Sequence, residues 1–256
     1  MTEPAWQPQA AIVVGAGSGI GRAVAEEFAA RGMDVLALCR RPERFDASPA
    51  RGRLHVRRCD VTVADELRAA LPPIAAGTVV VHSAGVAGPI APIWECDESA
   101  GLQALATMVA SAWHTAQLCL SQMVGMNSGL LLLASSGAAG KVAAARATYS
   151  MAKAAVDQMT RVVGAELALV GSHVGVASLY PGMVDTGMQA AAREAADRLV
   201  DTAFAPALAS FGAAHAGGLL MDAQTVAQDI ADLAGRRPGA LNGKTWRLRN
   251  REWGAV

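Results

Sequence analysis

Residues 10–21, AAIVVGAGSGIG, run a short apolar stretch, β-branched toward its end, into four glycines, and RAVAEEFAARG follows at once. An apolar run of that length stopped by glycine reads as a buried strand. Behind it Val24, Phe28 and Ala29 recur at helical spacing, with Gly32 as the stop. A strand passing through a turn nearly free of side chains into a helix is the opening of a βαβ unit, and the chain repeats that alternation. Further strands are expected at DVLALC (34–39), within RLHVRRCDVT, and at GTVVVHSAG, SGLLLLASS and HVGVASLYPG, with a last one at KTWRLRN. Helical patterns lie between them, at DELRAALPP, about 97–125, about 147–170 and AQTVAQDIADLAG, and residues 183–222 form an alanine-rich helical excursion. Strands alternating with helices imply a parallel sheet, and right-handed crossovers place helices on both of its faces.

Composition limits what such a fold can do. The 256 residues are 52% hydrophobic and 17% charged with no net charge, which suits one α/β domain with a large core. Without a basic excess, nucleic acid and anionic membranes are not expected partners. MTEPAWQPQA is no signal peptide, and no apolar run approaches the ~20 residues of a membrane span, so a cytoplasmic protein is expected. Cys39, Cys59, Cys96 and Cys119 are far apart and form no CxxC pair. They read as thiols in a reducing compartment, and no metal site is expected.

The glycines carry chemistry. A loop of Gly15, Gly17, Ser18, Gly19, Ile20 and Gly21 lets backbone N–H groups approach a pyrophosphate, and the helix N-terminus behind it favours negative charge. At the tip of the second strand an acidic residue would bind both ribose hydroxyls of a dinucleotide and repel a 2′-phosphate. LALCRRPE has Cys39 there, then Arg40 and Arg41, two guanidiniums suited to a phosphate. NADP(H) is therefore the expected cofactor.

A tyrosine and a lysine four positions apart, Tyr149 and Lys153, fall on one face of the helix over 147–170. A phenol titrates near 10, and an ammonium one turn away favours its ionised form. Such a phenol can give a proton to the alkoxide that develops when a carbonyl accepts hydride. Ser136, thirteen residues before Tyr149 at the end of the fifth strand, can hold the carbonyl oxygen.

The GxxxGxG form of Gly15, Gly19 and Gly21, with Ser136 and the YxxxK pair at this spacing, resembles the short-chain dehydrogenase/reductase superfamily over nearly the whole chain. The resemblance implies a Rossmann-type doubly wound sheet, with a dinucleotide-binding half at about 10–125 and a catalytic and substrate half at about 126–256. Residues 183–222 would be a substrate lid. It assigns Tyr149 as general acid/base, Lys153 as its electrostatic partner and nicotinamide-ribose anchor, and Ser136 as carbonyl orienter. Asp60 and Val61 match its adenine-edge contact, and Ala84 and Gly85 its approach to the adenosine ribose. Pro181-Gly182 match its PG motif, after which Val184 and Thr186 would face the nicotinamide carboxamide. Homodimers or homotetramers built on the two long helices are also implied.

The chain departs from the family pattern at three places. Val14 stands where a threonine hydroxyl usually braces the turn, and His82-Ser83 replace the amides of NNAG. His82 reads as a bridge between neighbouring strands. Met108 falls where many members carry a relay asparagine, whose part Thr107, Ser111 or water would have to take. These losses keep a cofactor-binding sensor with little turnover open, as cofactor choice keeps an NAD-linked alcohol dehydrogenase open. Retention of Ser136, Tyr149 and Lys153 favours a reductase.

More narrowly, LYPGMVDTGMQ and the MDAQTVAQDIADL stretch resemble the sepiapterin reductase and benzil reductase branch. No aspartate lies near Arg247, where sepiapterin reductase anchors its pterin, so an α-dicarbonyl or aromatic ketone is the expected substrate. Trp94, Met183 and Met188 are candidates to line its pocket.

Overall fold

The computed structural model describes residues 6–45, 54–248 and 254–255. The first strand, β1 (Ala10–Val14), leads into α1 (Gly19–Ala30) and β2 (Asp34–Cys39). Then come β3 (Leu54–Arg58), α2 (Ala64–Ala70), β4 (Thr78–His82) and α3 (Glu98–Leu105). A π-helical turn, Ala106–Ala110, joins α3 to α4 (Ser111–Met126), so the region expected as one helix is continuous but locally underwound. The chain continues through β5 (Leu130–Ala134), α5 (Ala147–Leu169), β6 (Gly175–Tyr180), α6 (Gly187–Asp197) and α7 (Ala205–Ala216). It ends with α8 (Ala223–Ala234), a short α9 (Pro238–Leu241), β7 (Lys244–Arg247) and β8 (Gly254–Ala255).

The strands form one sheet in the order β3-β2-β1-β4-β5-β6-β7-β8. Every pairing is parallel except the last, β7 with β8, which is antiparallel and was not legible in the two-residue GA. Strict alternation sorts side chains to two cores. Val13, Val81, Leu132 and Leu179 pack beneath α1 and α8 with Val24, Phe28, Val226 and Ile230. Ile12, Val80, Leu131 and Val176 pack on the other face against Leu67 of α2, Cys119 and Met123 of α4, and Val156 and Leu167 of α5. Burial on both faces explains why the central strands β1, β4, β5 and β6 read as largely apolar runs, while β3 at the sheet's edge does not.

Strand order reverses between β1 and β4: the chain fills one side out to β3, then crosses to the other. That reversal opens a crevice beyond the carboxyl ends of the two strands, where open α/β sheets bind ligands. Because β1 to β7 all point the same way, the segments that follow β1, β2, β3, β4, β5 and β6 come to one edge of the sheet.

Candidate active site

The glycine loop forms the floor of a cleft of about 680 Å³ at this reversal. Gly15 has φ +85° and lies so close to β4's exit that a Cβ there would stand 2.5 Å from the Ala84 nitrogen. A Cβ on Gly21 would collide with the Gly15 carbonyl and the Ser83 hydroxyl. Ser83 donates through its Oγ to the Val14 carbonyl at 3.0 Å, and its N–H reaches the same oxygen at 2.8 Å. The brace expected at position 14 is thus supplied from the strand beside it. With no side chain over the floor and α1 starting at Gly19, the loop fits a pyrophosphate.

Gly17, Ser18 and Ile20 line this floor, and Arg40 and Arg41 line the outer end together with Arg22 and Arg44. Arg44 was not anticipated: a short turn, Pro42–Arg44, brings it back over the cleft. Arg22 is held there through its Nη1, which donates to the Arg44 carbonyl at 3.2 Å, and through the Phe45 ring 5.0 Å from its guanidinium. Asp60 and Val61 form the adjoining wall. The Asp60 carboxylate accepts from the Thr62 hydroxyl at 2.7 Å and from its N–H at 3.0 Å, contacts that hold it below the usual carboxylate range. Ala84, Gly85 and Thr107 continue inward, and Thr186, Gly187 and Met188 close the cleft from α6. Thr186 accepts the Gln189 N–H at 3.4 Å as the cap of α6, with its methyl 3.1 Å from where a Cβ on Gly19 would be.

Tyr149 and Lys153 stand past the inner end, buried at 9% and 5% exposure. The ammonium lies 5.7 Å from the centre of the phenol ring and 3.8 Å from where a Cβ on Gly85 would be, so the pair adjoins the cleft wall. Lys153 Nζ donates to the Ala134 carbonyl at 2.8 Å. Burial pushes its ammonium below the usual lysine range, against the opposing pull of Tyr149 and of Asp157 one turn on. Asp157 is itself buried and accepts the Tyr180 hydroxyl. Ser136 follows β5 by two residues rather than ending it, and its Oγ accepts from the Ala138 N–H at 3.2 Å. Ser135, the residue before, donates to the Lys153 carbonyl at 3.3 Å. Pro181, Gly182 and the buried Val184 follow β6 at the same edge, with Val184 bridged to Met221.

The departures from the family pattern take definite form. His82 does not bridge strands: its Nε2 pairs with Ser111 Oγ on α4 at 2.8 Å. The backbone positions of β4 are consumed by the ladder, so the buried ring can only look to the helix packed above it. Burial, and then the Lys153 charge, push its pKa down to about 3, leaving a neutral imidazole. Met108 is buried in the π-turn, its Cγ 3.9 Å from where a Cβ on Gly85 would be. Thr107 Oγ1 donates to the Gln103 carbonyl at 2.8 Å and so serves its own helix, while Ser111 Oγ donates to the Thr107 carbonyl at 2.6 Å and also meets the His82 ring.

On the other side of Tyr149, sequence reasoning missed Arg146. Its guanidinium lies 4.3 Å from the Tyr149 ring centre and 4.8 Å from that of Phe211 on α7. Its Nε is buried with no hydrogen-bond partner, and burial pushes the guanidinium down from its ordinary value. The residue before it, Ala145, has φ +60°, a left-handed conformation that costs a non-glycine residue about 1–2 kcal/mol. Of the expected substrate residues, Met183 packs beside Ala145 and Phe211. Met188 reaches toward Gly85 with its Cε 3.5 Å from where a Cβ there would be. Trp94 is 76% exposed, with its ring centre 6.3 Å from that of Phe204. Among the described residues no cluster of three His, Cys, Asp or Glu could hold a metal, and no helix is long and apolar enough to cross a membrane.

Comparison with known proteins agrees with this fold. The family described as short chain dehydrogenase matches residues 9–197. An uncharacterized oxidoreductase of Staphylococcus aureus (strain USA300) is 32% identical over 190 residues, covering 71% of this chain and 80% of that protein. Galactitol 2-dehydrogenase (L-tagatose-forming) of Cereibacter sphaeroides is 32% identical over 192 residues, covering 72% and 74%. Among solved structures, the KRED1-Pglu enzyme superposes with a TM-score of 0.80 at 27% identity, covering 93% of this chain and 99% of that one. Actinorhodin polyketide ketoreductase, a structure with NADPH, reaches 0.81 at 24% identity over 95% and 96%, a likeness of fold. The chain is an oxidoreductase of the short-chain dehydrogenase family, whose members use NAD(P)(H).

Proposed function

We propose that this oxidoreductase is an NADPH-dependent reductase that converts a ketone or α-dicarbonyl to an alcohol. The observation that carries the reading is the buried Tyr149–Lys153 pair on one face of α5, set against Gly85 at the inner end of a glycine-floored cleft. NADPH, when bound, supplies a hydride to the carbonyl carbon. Tyr149 gives its phenolic proton to the carbonyl oxygen, and Lys153 stabilises the phenolate left behind. Ser136 Oγ donates a hydrogen bond to the same oxygen and holds it near the phenol. Lys153 can do this because the Ala134 carbonyl fixes its ammonium at 2.8 Å and Asp157, one turn on, favours its charged form.

Arg40, Arg41, Arg44 and Arg22 around the outer end support NADPH over NADH, since a 2′-phosphate there meets several guanidiniums and no carboxylate takes the tip position at Cys39. The halves on either side of about residue 125 divide the work, the first holding the dinucleotide and the second the chemistry. The helices α6 and α7 within 183–222 cover the substrate. Exposed apolar side chains on α4 and α5 support a homo-oligomer.

A screen of NADPH oxidation against diketones and aryl ketones, with Tyr149→Phe as control, tests the reading. Turnover lost in the variant is the expected result. Tight NADPH binding without turnover of any carbonyl would replace it with a sensor. Faster alcohol oxidation with NAD than with NADP would replace it with a dehydrogenase.

A further inference from the structure

Arg146 is a half-buried cation with no carboxylate counter-charge among the described residues. No carboxylate lies within salt-bridge distance among the described residues, and its Nε has no hydrogen-bond partner. A guanidinium drawn from water without an anion is unfavourable, and a carboxylate brought by a ligand would supply the missing charge. Its position is specific. Lys153 stands one turn beyond Tyr149 and adjoins the cofactor cleft at Gly85, whereas Arg146 stands one turn before it, beneath Phe211. The phenol therefore has one cation a turn before it and one a turn after it, and of the two Lys153 is the one set against the cleft wall at Gly85.

Two further features point to the same place. Ala145 adopts φ +60° although it carries a Cβ, and the Ala91 N–H clamps its carbonyl at 3.0 Å, so strain is held in the residue that sets the direction of Arg146. Over it, α6 packs Ala192 and Ala196 into one cluster with Ala145 and Phe211. That helix also carries Gln189 Nε2 and Arg193 Nη1, one turn apart, both buried without partners.

We infer that Arg146 is a substrate-anchoring residue that binds a carboxylate, and that the substrate is a short oxo acid with its acid group a few bonds from the carbonyl. The short span follows from the 4.3 Å between guanidinium and ring, which leaves little distance from the carboxylate to the oxygen served by the phenol. Gln189 and Arg193 supply further donors from the covering helix. This inference rests on the carbonyl reductase reading for its substrate, and for its anion on a cation that has ring neighbours but no carboxylate among the described residues.

The test compares acids with their neutral esters: acetoacetate, levulinate and phenylglyoxylate against the methyl ester of each, at saturating cofactor. The acid in at least one pair should exceed its ester tenfold or more in kcat/KM. Arg146→Gln should collapse that ratio, mainly through KM for the acid, and Arg146→Lys should restore part of it. Calorimetric titration of the cofactor complex with benzoate and with benzamide gives a readout independent of turnover. Benzoate should bind at least tenfold more tightly, a difference lost in Arg146→Gln. Ketone or ester turnover with no acid preference, and equal binding of benzoate and benzamide, would overturn the anion site while leaving the reductase standing. Arg146-dependent selection of benzoate without any carbonyl turnover would overturn the reductase and leave the anion site. The wild-type ratios need no variant, so a misfolded Arg146→Gln does not remove the test.

Discussion

Lys153 donates to the Ala134 carbonyl at 2.8 Å, and this one bond ties the helix that carries Tyr149 to the strand that leads to Ser136. The Ser135 hydroxyl returns the link, donating to the Lys153 carbonyl at 3.3 Å. Two elements joined at their chemical ends keep phenol, ammonium and hydroxyl in a fixed relation without a ligand. Removing the phenolic oxygen alone should therefore stop chemistry and spare the frame. Tyr149→Phe is expected to lower kcat at least a hundredfold, the usual worth of a positioned proton donor, with the NADPH Kd within threefold of wild type. Steady-state assays paired with fluorescence titration check both halves, and a tenfold loss or less would remove Tyr149 from the role of acid.

Arg40 and Arg44 offer exposed guanidiniums at the outer end of the cleft, and a charge-assisted hydrogen bond to a phosphate contributes about 1.5–3 kcal/mol. Solvent screening puts the expected loss at the lower limit. Arg40→Ala and Arg44→Ala should each raise the NADPH Kd about tenfold, more at low salt than at high, and leave the NADH Kd within twofold. Equal effects on both cofactors would mean that these arginines hold the cleft's shape and read no 2′-phosphate.

Most of this arrangement is legible in the sequence because it is local. The strands β1, β4, β5 and β6 are largely apolar on both faces and stopped by glycine, proline or small residues, and a tyrosine and lysine four apart share a helix face in any fold. What escaped depends on partners distant in the chain. Arg146 sits in an alanine-rich run and reads as solvated; Phe211, 65 positions later, is what covers it. His82 looks like a strand residue until α4 brings Ser111 over it. Arg44 reaches the cleft only because a three-residue turn folds back after Arg41. The π-turn at Ala106–Ala110 is invisible because ATMVA has an ordinary helical pattern, and the extra residue shows only in the register of α4 against α3.

His82 makes the fold sensitive to acid. An unfolded histidine titrates near 6.5, while burial and the Lys153 charge hold the folded value at about 3. Between these values the unfolded chain takes up a proton that the folded state refuses, so stability is fullest above about pH 6.5 and declines as the pH falls toward 3. From pH 7 to pH 5 the group should account for about 2 kcal/mol of lost stability. His82→Asn keeps a polar side chain opposite Ser111 and removes the titration. Urea unfolding at the two pH values should show a drop smaller by that amount in the variant, and identical drops would mean that His82 is protonated without cost.

The outward face of α5 carries Met151, Val162 and Leu169 at helical spacing, and Trp113 and Val124 share a face of α4 eleven residues apart. Exposed large apolar side chains on two adjacent long helices are costly to leave wet, and a second copy of the chain offers the same two faces about a two-fold axis. The protein is expected to run as a dimer or tetramer at micromolar concentration. Met151→Asp places a charge on that surface at a half-exposed position, without touching the core beneath it. Light scattering coupled to size exclusion should show the variant shifted toward monomer with its far-UV spectrum retained. A wild-type chain that elutes as monomer, or a variant unchanged in mass, would leave this face without a partner copy.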